Sequence, residues 1–239
     1  MFLSLALKNA IGFIFPRLCV VCTNKLSDNK WLCDVCLQKI IDNHSERDAC
    51  PRCGQNRRIR SCTCEYNWQF PFESIYSVFD FDDIVKGIAH EFKYMGMKRL
   101  AFDMGKSYAR LVPSTFFEGM DAIVAVPLFF LRKMKRGYNQ AEHYARGIAS
   151  ALGQKSLYLP DILVRGRPTK TQTKLSRTMR QKNVQGAFIV PARKRNIVRN
   201  KNIIIIDDIV TTAATTRECA VALLAAGCGK IRVLSLARD

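Results

Sequence analysis

Acidic side chains are scarce in this chain, above all where basic ones are dense. Against 38 lysines and arginines stand 20 aspartates and glutamates, a formal net charge of +18 over 239 residues. Residues 132–201 alone hold eighteen basic and two acidic side chains, whereas residues 202–239 balance at four of each. A pyrophosphate needs only about two to four cations, so the surplus predicts a second polyanion, nucleic acid before any small phosphate. The plainer alternative is a basic surface kept for solubility.

Histidine is nearly missing as well, with three in the chain. His44 and His90 have no partner pattern that would suit acid–base catalysis, and His143 falls in a helical stretch with a structural role. Long apolar runs are absent, which excludes a membrane span. Residues 1–18 are apolar, but Lys8 interrupts them, no basic segment precedes them and no small-residue cleavage site follows. They predict a short amphipathic helix with at most peripheral membrane contact, and a cytoplasmic location. There is no internal repeat or low-complexity tract. Hydrophobic residues make up 48%, enough to bury a core and to exclude a disordered chain.

Cysteine, by contrast, is abundant and clustered. Eight of the ten lie between Cys19 and Cys64, as Cys19-x-x-Cys22, Cys33-x-x-Cys36, Cys50-x-x-Cys53 and Cys62-x-Cys64. These pairs suffice for two closed tetrahedral Cys₄ zinc sites, structural because no position is left for water. A disulfide framework would need an exported chain, a redox pair would need one C-x-x-C, and iron–sulfur ligation remains open. Ligands pair in chain order or crossed. A module of about 60 residues with few aromatics needs such staples to fold. Arg52, Arg57, Arg58 and Arg60 surround the second site. Cys219 and Cys228 read as small core residues.

From Phe70 the pattern turns to α/β, which places a boundary near residues 66–71 and two domains at 1–66 and 67–239. Strands are predicted at Ile75–Phe81, Ala122–Leu128, Ile162–Val164, Gly186–Val190 and Val233–Ala237. Helices are predicted from Asp82 or Asp83 to Tyr94 and from Arg99 to Leu111. A basic loop with Arg132, Lys133, Lys135 and Arg136 follows the second strand and leads to a helix near Asn139; its place suits anion binding, and a solvated charge run is the alternative. Tyr138, Tyr144, Phe129 and Phe130 lie beside it and could stack bases. Residues 165–183 read as a long basic loop that covers a substrate or lies along a nucleic-acid backbone. No element follows the last strand to form a hood, so a base would be selected by the cysteine module or near Phe92 and Phe102.

The most informative run is IIIIDDIVTTAAT, Ile203 to Thr215. Four isoleucines read as a buried parallel strand, Asp207 and Asp208 mark its end, and a helical pattern follows. Ligands of open α/β sheets bind beyond the carboxyl ends of the strands, and a helix start favours phosphate. The run resembles the phosphoribosyl-pyrophosphate motif of type I phosphoribosyltransferases. That resemblance implies that Asp207 and Asp208 contact the ribose hydroxyls and that Thr211, Thr212, Ala213, Ala214 and Thr215 wrap the 5′-phosphate. It places the pyrophosphate after the second strand, at Leu128 and Arg132. The family usually carries glycine where Ala213 stands; alanine fits there if its φ stays negative.

The cysteine module, RGYNQ at Arg136–Gln140, and Thr169, Gln172, Arg180 and Asn183 precede that motif in order. Together they resemble the ComF family of competence proteins over essentially the whole chain. The resemblance implies a zinc-ribbon module on a type I phosphoribosyltransferase-like parallel sheet flanked by helices. It also implies handling of incoming single-stranded DNA beside a helicase-like translocase and other uptake proteins. Lys170, Lys174, Arg177 and Arg180 join the four earlier cations as candidate DNA contacts. Three functional readings follow: a DNA-handling protein that binds phosphoribosyl pyrophosphate, a Mg²⁺-dependent transferase in which Asp207 and Asp208 position the ribose, and a scaffold with a vestigial site.

Overall fold

The computed structural model describes residues 18–26, 30–62, 64, 69–94, 98–168 and 177–239. Its centre is a four-stranded sheet in the order β1–β6–β5–β2, with β1 at Ser74–Asp80, β2 at Ala122–Ala125, β5 at Ile203–Val210 and β6 at Ile231–Arg238. Every neighbouring pair in it is parallel. Parallel strands are covered on both faces and so read as unbroken apolar runs. Ile203, Ile204, Ile205 and Ile206 of β5 are each no more than 1% exposed, and each such burial contributes roughly 2 kcal/mol. Leu159 N–H donates to the Ile123 carbonyl at 2.9 Å and Tyr158 bridges Ile123, so the chain beyond Tyr158 extends the sheet past β2. A short antiparallel pair, β3 (Val164–Arg165) and β4 (Phe188–Ile189), stands apart.

One face of the sheet is covered by α2 (Asp83–Tyr94), α3 (Lys98–Tyr108) and α5 (Gln140–Ala151), and the other by α7 (Ala214–Ala225). The Asp82 carboxylate accepts from Val85 N–H at 2.8 Å and Asn139 accepts from Ala141 N–H at 3.2 Å, capping the starts of α2 and α5. Helices α3 and α5 cross at Gly105 and Gly147. A Cβ on Gly105 would collide with the Tyr144 carbonyl, and one on Gly147 with the Phe102 carbonyl. Two glycines therefore set this contact and hold α5 flat beneath β2 and β5.

The cysteine region is built onto the sheet. Helix α1 (Asp34–Ser45) lies against β1, and Cys19, Leu32, Cys36 and Ile40 share a core with Val78, Phe79 and Leu100. Trp31 donates to Asp103 at 2.9 Å, and Ile75 N–H donates to the Arg52 carbonyl at 2.6 Å. Arg47, whose side chain is 3% exposed, pairs with Asp80 at 3.0 Å, donates to the Gly54 carbonyl at 2.9 Å and reaches the Ser77 carbonyl. A buried guanidinium with this many acceptors is fully compensated. It joins the second cysteine cluster to the edge strand.

Several sequence expectations need correction. The basic stretch after β2 is not a loop: Phe130–Arg136 forms a helix, α4, ended by Gly137 at φ 76. Its lysines and arginines have good helix propensity, and glycine supplies the left-handed stop. The third strand is Val164–Arg165 rather than Ile162–Val164. Part of the long basic segment, Arg177–Val184, is helical (α6), while residues 169–176 lie outside the described ones. So do residues 1–17, on which the N-terminal helix was expected. Among the described residues no helix is long and apolar enough to cross a membrane.

Candidate phosphate cradle and metal centres

Strands β2 and β5 run in register, Ala125 opposite Ile206, and Val126 N–H donates to the Ile206 carbonyl at 2.9 Å. The chain leaving β2 therefore runs beside the first carboxylate of the pair, Asp207. Both aspartates are half-buried. Asp207 Oδ1 accepts from Asp208 N–H at 2.9 Å and Asp208 Oδ1 accepts from Ile209 N–H at 2.8 Å, which fixes both side chains. A small concavity is lined by Asp207, Thr211, Thr212, Ala213, Ala214 and Thr215, together with Thr216. It sits at the start of α7, where main-chain N–H groups lack intrahelical acceptors. The wall thus offers the Asp207 carboxylate as acceptor together with threonine hydroxyls and helix-start N–H groups as donors, the two needs of a sugar phosphate, while Asp208 is not among its lining residues.

Ala213 does not keep a negative φ. It sits at φ 57, ψ 12, the left-handed region that glycine tolerates, and it caps α7 with no side-chain hydrogen bond. The surroundings over-determine this strain. Its methyl is buried at 4% exposure, Arg217 N–H donates to its carbonyl at 2.8 Å and the Thr216 hydroxyl at 3.1 Å. Alanine therefore reproduces the loop shape that glycine would permit.

Beneath the cradle, Glu218 accepts from Gly186 N–H at 2.8 Å and from Arg217 at 2.7 Å. This ties the end of the basic segment to the helix that forms the cradle. Burial pushes the Cys219 thiol well above its ordinary range, with Asp207 and Glu218 adding to the shift and Arg165 opposing it. Cys219 is an inert core thiol. Neither Glu218 nor Arg165 announces itself in sequence, since a single charge in an α/β pattern reads as surface.

Leu128 lies off the cradle, in a separate cavity beyond β2 that Lys133 also lines. Lys133 pairs with Glu142 at 3.3 Å. Arg132, Lys135 and half-buried Arg136 are carried on α4, and Arg177 and Arg180 on α6, while Lys170 and Lys174 fall outside the described residues. The side chains of Arg132, Lys135, Arg177 and Arg180 are likewise outside them. Two of the aromatics expected to stack bases are core residues: Tyr138 is 3% and Tyr144 2% exposed. Phe129 is half-buried and Phe130 is 66% exposed.

The cysteines form two groups in chain order, Cys19, Cys22, Cys33 and Cys36, then Cys50, Cys53, Cys62 and Cys64, with all sulfurs of a group within 4.8 Å of one another. Tetrahedral Zn–S bonds place sulfurs about 3.8 Å apart, and the Cys22 and Cys33 sulfurs are 3.6 Å apart. None of these cysteines is in a disulfide. Both groups could hold zinc with no rearrangement of the chain, and the crossed pairing is excluded. Of the surrounding arginines, Arg57 pairs with Asp48 at 2.7 Å and Arg52 donates to the Cys64 carbonyl at 3.3 Å, so both serve the module itself.

A parallel sheet with an acid pair and a hydroxyl-lined helix start at its C-terminal end defines a phosphoribosyltransferase-type domain. Residues 95–239 match the family described as phosphoribosyl transferase domain. The chain is 30% identical over 229 residues to DNA utilization protein YhgH of Salmonella typhimurium, covering 93% of this chain and 97% of that one. Competence protein F of Haemophilus influenzae is 34% identical over 118 residues, 49% of this chain and 50% of its own. Competence protein ComFC of Bacillus subtilis is 27% identical over 190 residues, 74% and 72% of the two chains. The chain belongs to the ComF family. Among solved structures, the glutamine phosphoribosylpyrophosphate amidotransferase of B. subtilis, complexed with ADP and GMP, has a TM-score of 0.40 at 19% identity, over 62% of this chain and 30% of that one.

Proposed function

We propose that this protein serves natural competence by handling single-stranded DNA as it enters the cytoplasm, and that its cradle binds phosphoribosyl pyrophosphate with Mg²⁺. The observation that carries the reading is one of placement. The acid pair lies in the C-terminal half of β5 and the hydroxyl cradle follows it, helix α4 follows β2, and these strands are parallel neighbours. That the acid pair of β5 and the start of α4 lie at one end of the sheet supports a ligand site beside a cationic helix. The names of the relatives, competence and DNA utilization, favour the same reading. Partners would be the single strand, a competence helicase and other uptake proteins, with membrane contact no more than peripheral.

Binding of a fluorescent oligothymidylate should fall steeply with salt, with a slope of about −0.7 per phosphate neutralised. Charge reversal at Arg132, Lys135 and Arg136 together should flatten that slope. An unchanged slope would remove α4 from the DNA path.

A second reading, an active transferase, is favoured by the fixed aspartates. They would position the ribose of a phosphoribosyl group passed to a base or other nucleophile, Mg²⁺ would neutralise the leaving pyrophosphate, and cations on α4 would stabilise the developing charge. Asp208→Asn should then abolish pyrophosphate release. No release with any acceptor tried leaves the ligand-binding reading alone.

A further inference from the structure

The cavity beyond β2 is separate from the cradle, although Leu128, which the resemblance assigns to pyrophosphate, is among its lining residues. It measures about 180 Å³ and lies between the end of β2, α4, α5 and the chain from Tyr158 to Arg165. Leu128, Leu163 and Tyr158 give it apolar walls, Glu142, Asp161, Lys133 and Arg165 supply charge, and Phe130 stands at its edge. We propose that it binds one unstacked guanine base, read by the Glu142 carboxylate and covered by the Phe130 ring.

Shape comes first. A flat ring with apolar faces and a polar edge suits a cavity with apolar walls and few polar groups. Phe130 is 66% exposed and Val164 39%, so apolar surface lies bare where a base would enter. Aromatic rings displayed this way serve single-strand binders as stacking platforms.

The polar edge then selects the base. Glu142 Oε2 accepts from Lys133 at 3.3 Å and Oε1 from Arg146 at 3.2 Å, while its side chain is 16% exposed. A carboxylate has about four acceptor sites, so each oxygen can take one more donor. Guanine offers two adjacent donors, the ring N–H and the amino group. Adenine and cytosine present an amino group beside a ring acceptor, which a carboxylate repels, and thymine presents one N–H between carbonyls. Lys133 and Arg165 add cations suited to guanine's carbonyl and ring-nitrogen acceptors. Asp161, an exposed carboxylate, also lines the cavity, and Asn139 is engaged: its amide donates to the Val126 carbonyl at 2.9 Å and accepts from Ala141 N–H.

Delivery of the base by a DNA strand rests on the single-strand reading above, whereas a free guanine nucleotide would present the same edge. The test uses the full zinc-loaded chain. Oligothymidylates carrying one central guanine, adenine or hypoxanthine are titrated by anisotropy, and GMP and AMP are titrated separately by calorimetry. Guanine should be preferred over adenine about tenfold, and hypoxanthine, which lacks the amino group, should lose most of that preference. In Glu142→Gln the guanine-to-adenine ratio should fall to about one. Phe130→Ala, an exposed change that spares the core, should weaken the guanine strand roughly tenfold.

A preference seen in strands assigns the cavity to the strand, and one seen only in GMP assigns it to a free nucleotide. Equal affinities in both arms overturn the proposal. Strands that do not bind at all, with GMP still preferred over AMP, overturn the single-strand reading and leave the cavity's ligand standing.

Discussion

Replacing Ala213 by glycine tests the shape of the cradle. A left-handed backbone costs a non-glycine residue about 1–2 kcal/mol, and Ala213 holds φ 57. Glycine removes that cost but loses about 0.4–1 kcal/mol through the freer unfolded chain, and the buried methyl accounts for about 0.8 kcal/mol more. The terms nearly cancel, so Ala213→Gly should stay within about 1 kcal/mol of the parent. Ala214, one residue on, is equally buried but begins α7. Glycine there gains no relief, costs about 1 kcal/mol in helix propensity and loses the same methyl burial, so Ala214→Gly should cost about 2 kcal/mol. For a chain of this size 1 kcal/mol moves Tm by about 2–4 °C. Circular dichroism melts of zinc-loaded protein should show Ala213→Gly within about 4 °C of the parent and Ala214→Gly about 4–8 °C below it. Equal losses would mean that residue 213 has a negative φ in solution and that the cradle is not formed as described.

Other predictions bear on the frame and its ions. Gly147→Ala forces α5 away from the Phe102 carbonyl and should cost about 3 kcal/mol in urea unfolding, since the clash is with backbone that cannot turn aside; a loss under 1 kcal/mol would contradict the close crossing. Arg47→Ala leaves the Asp80 carboxylate with Asn56 but without its cation and should cost about 3 kcal/mol, whereas Arg47→Lys, which keeps a charge but not the fork, should cost less. Chelating zinc should lower Tm by about 10 °C or more in a single transition, because Cys19 and Cys36 share a core with the sheet; two separate transitions would show that module and sheet unfold independently. Burial, helped by the charges of Arg146, Lys98 and Lys133 and opposed by Glu142, holds the His143 imidazole below its ordinary 6.5. The unfolded state therefore binds the proton first, and the stability tied to neutral His143 is full above pH 6.5 and lost as pH falls below it. His143→Gln should flatten that acid-side decline in Tm, and parallel declines would exclude His143 as a source.

Much of the frame was legible because single-residue chemistry matched local structure. Ile203–Ile206 could only be a buried strand, Asp82 and Asn139 cap helices as their side chains predict, and the spacing of the cysteines matched two four-sulfur groups. Pairing was not legible, because chain order and crossed ligation use the same residues. Helix α4 was hidden because its charges read as a loop, although lysine, arginine and leucine are good helix formers. Tyr138 and Tyr144 looked available for stacking beside those charges, yet both are buried, Tyr138 in the turn before α5 and Tyr144 on it. Arg47, Glu142 and Glu218 matter through partners distant in sequence, and no local pattern reveals such pairs. The backbone angle at Ala213 was missed for the opposite reason: propensity argued for a negative φ, and the buried methyl and the cap hydrogen bonds overrode it.

The most direct measurement is a calorimetric titration of the zinc-loaded chain with phosphoribosyl pyrophosphate and Mg²⁺, repeated on the Asp207→Asn/Asp208→Asn double variant. Saturable binding that the double variant loses, with its melting temperature kept, is the predicted result. Absence of binding in the parent, or equal binding in both proteins, would contradict a phosphoribosyl site at the end of β5.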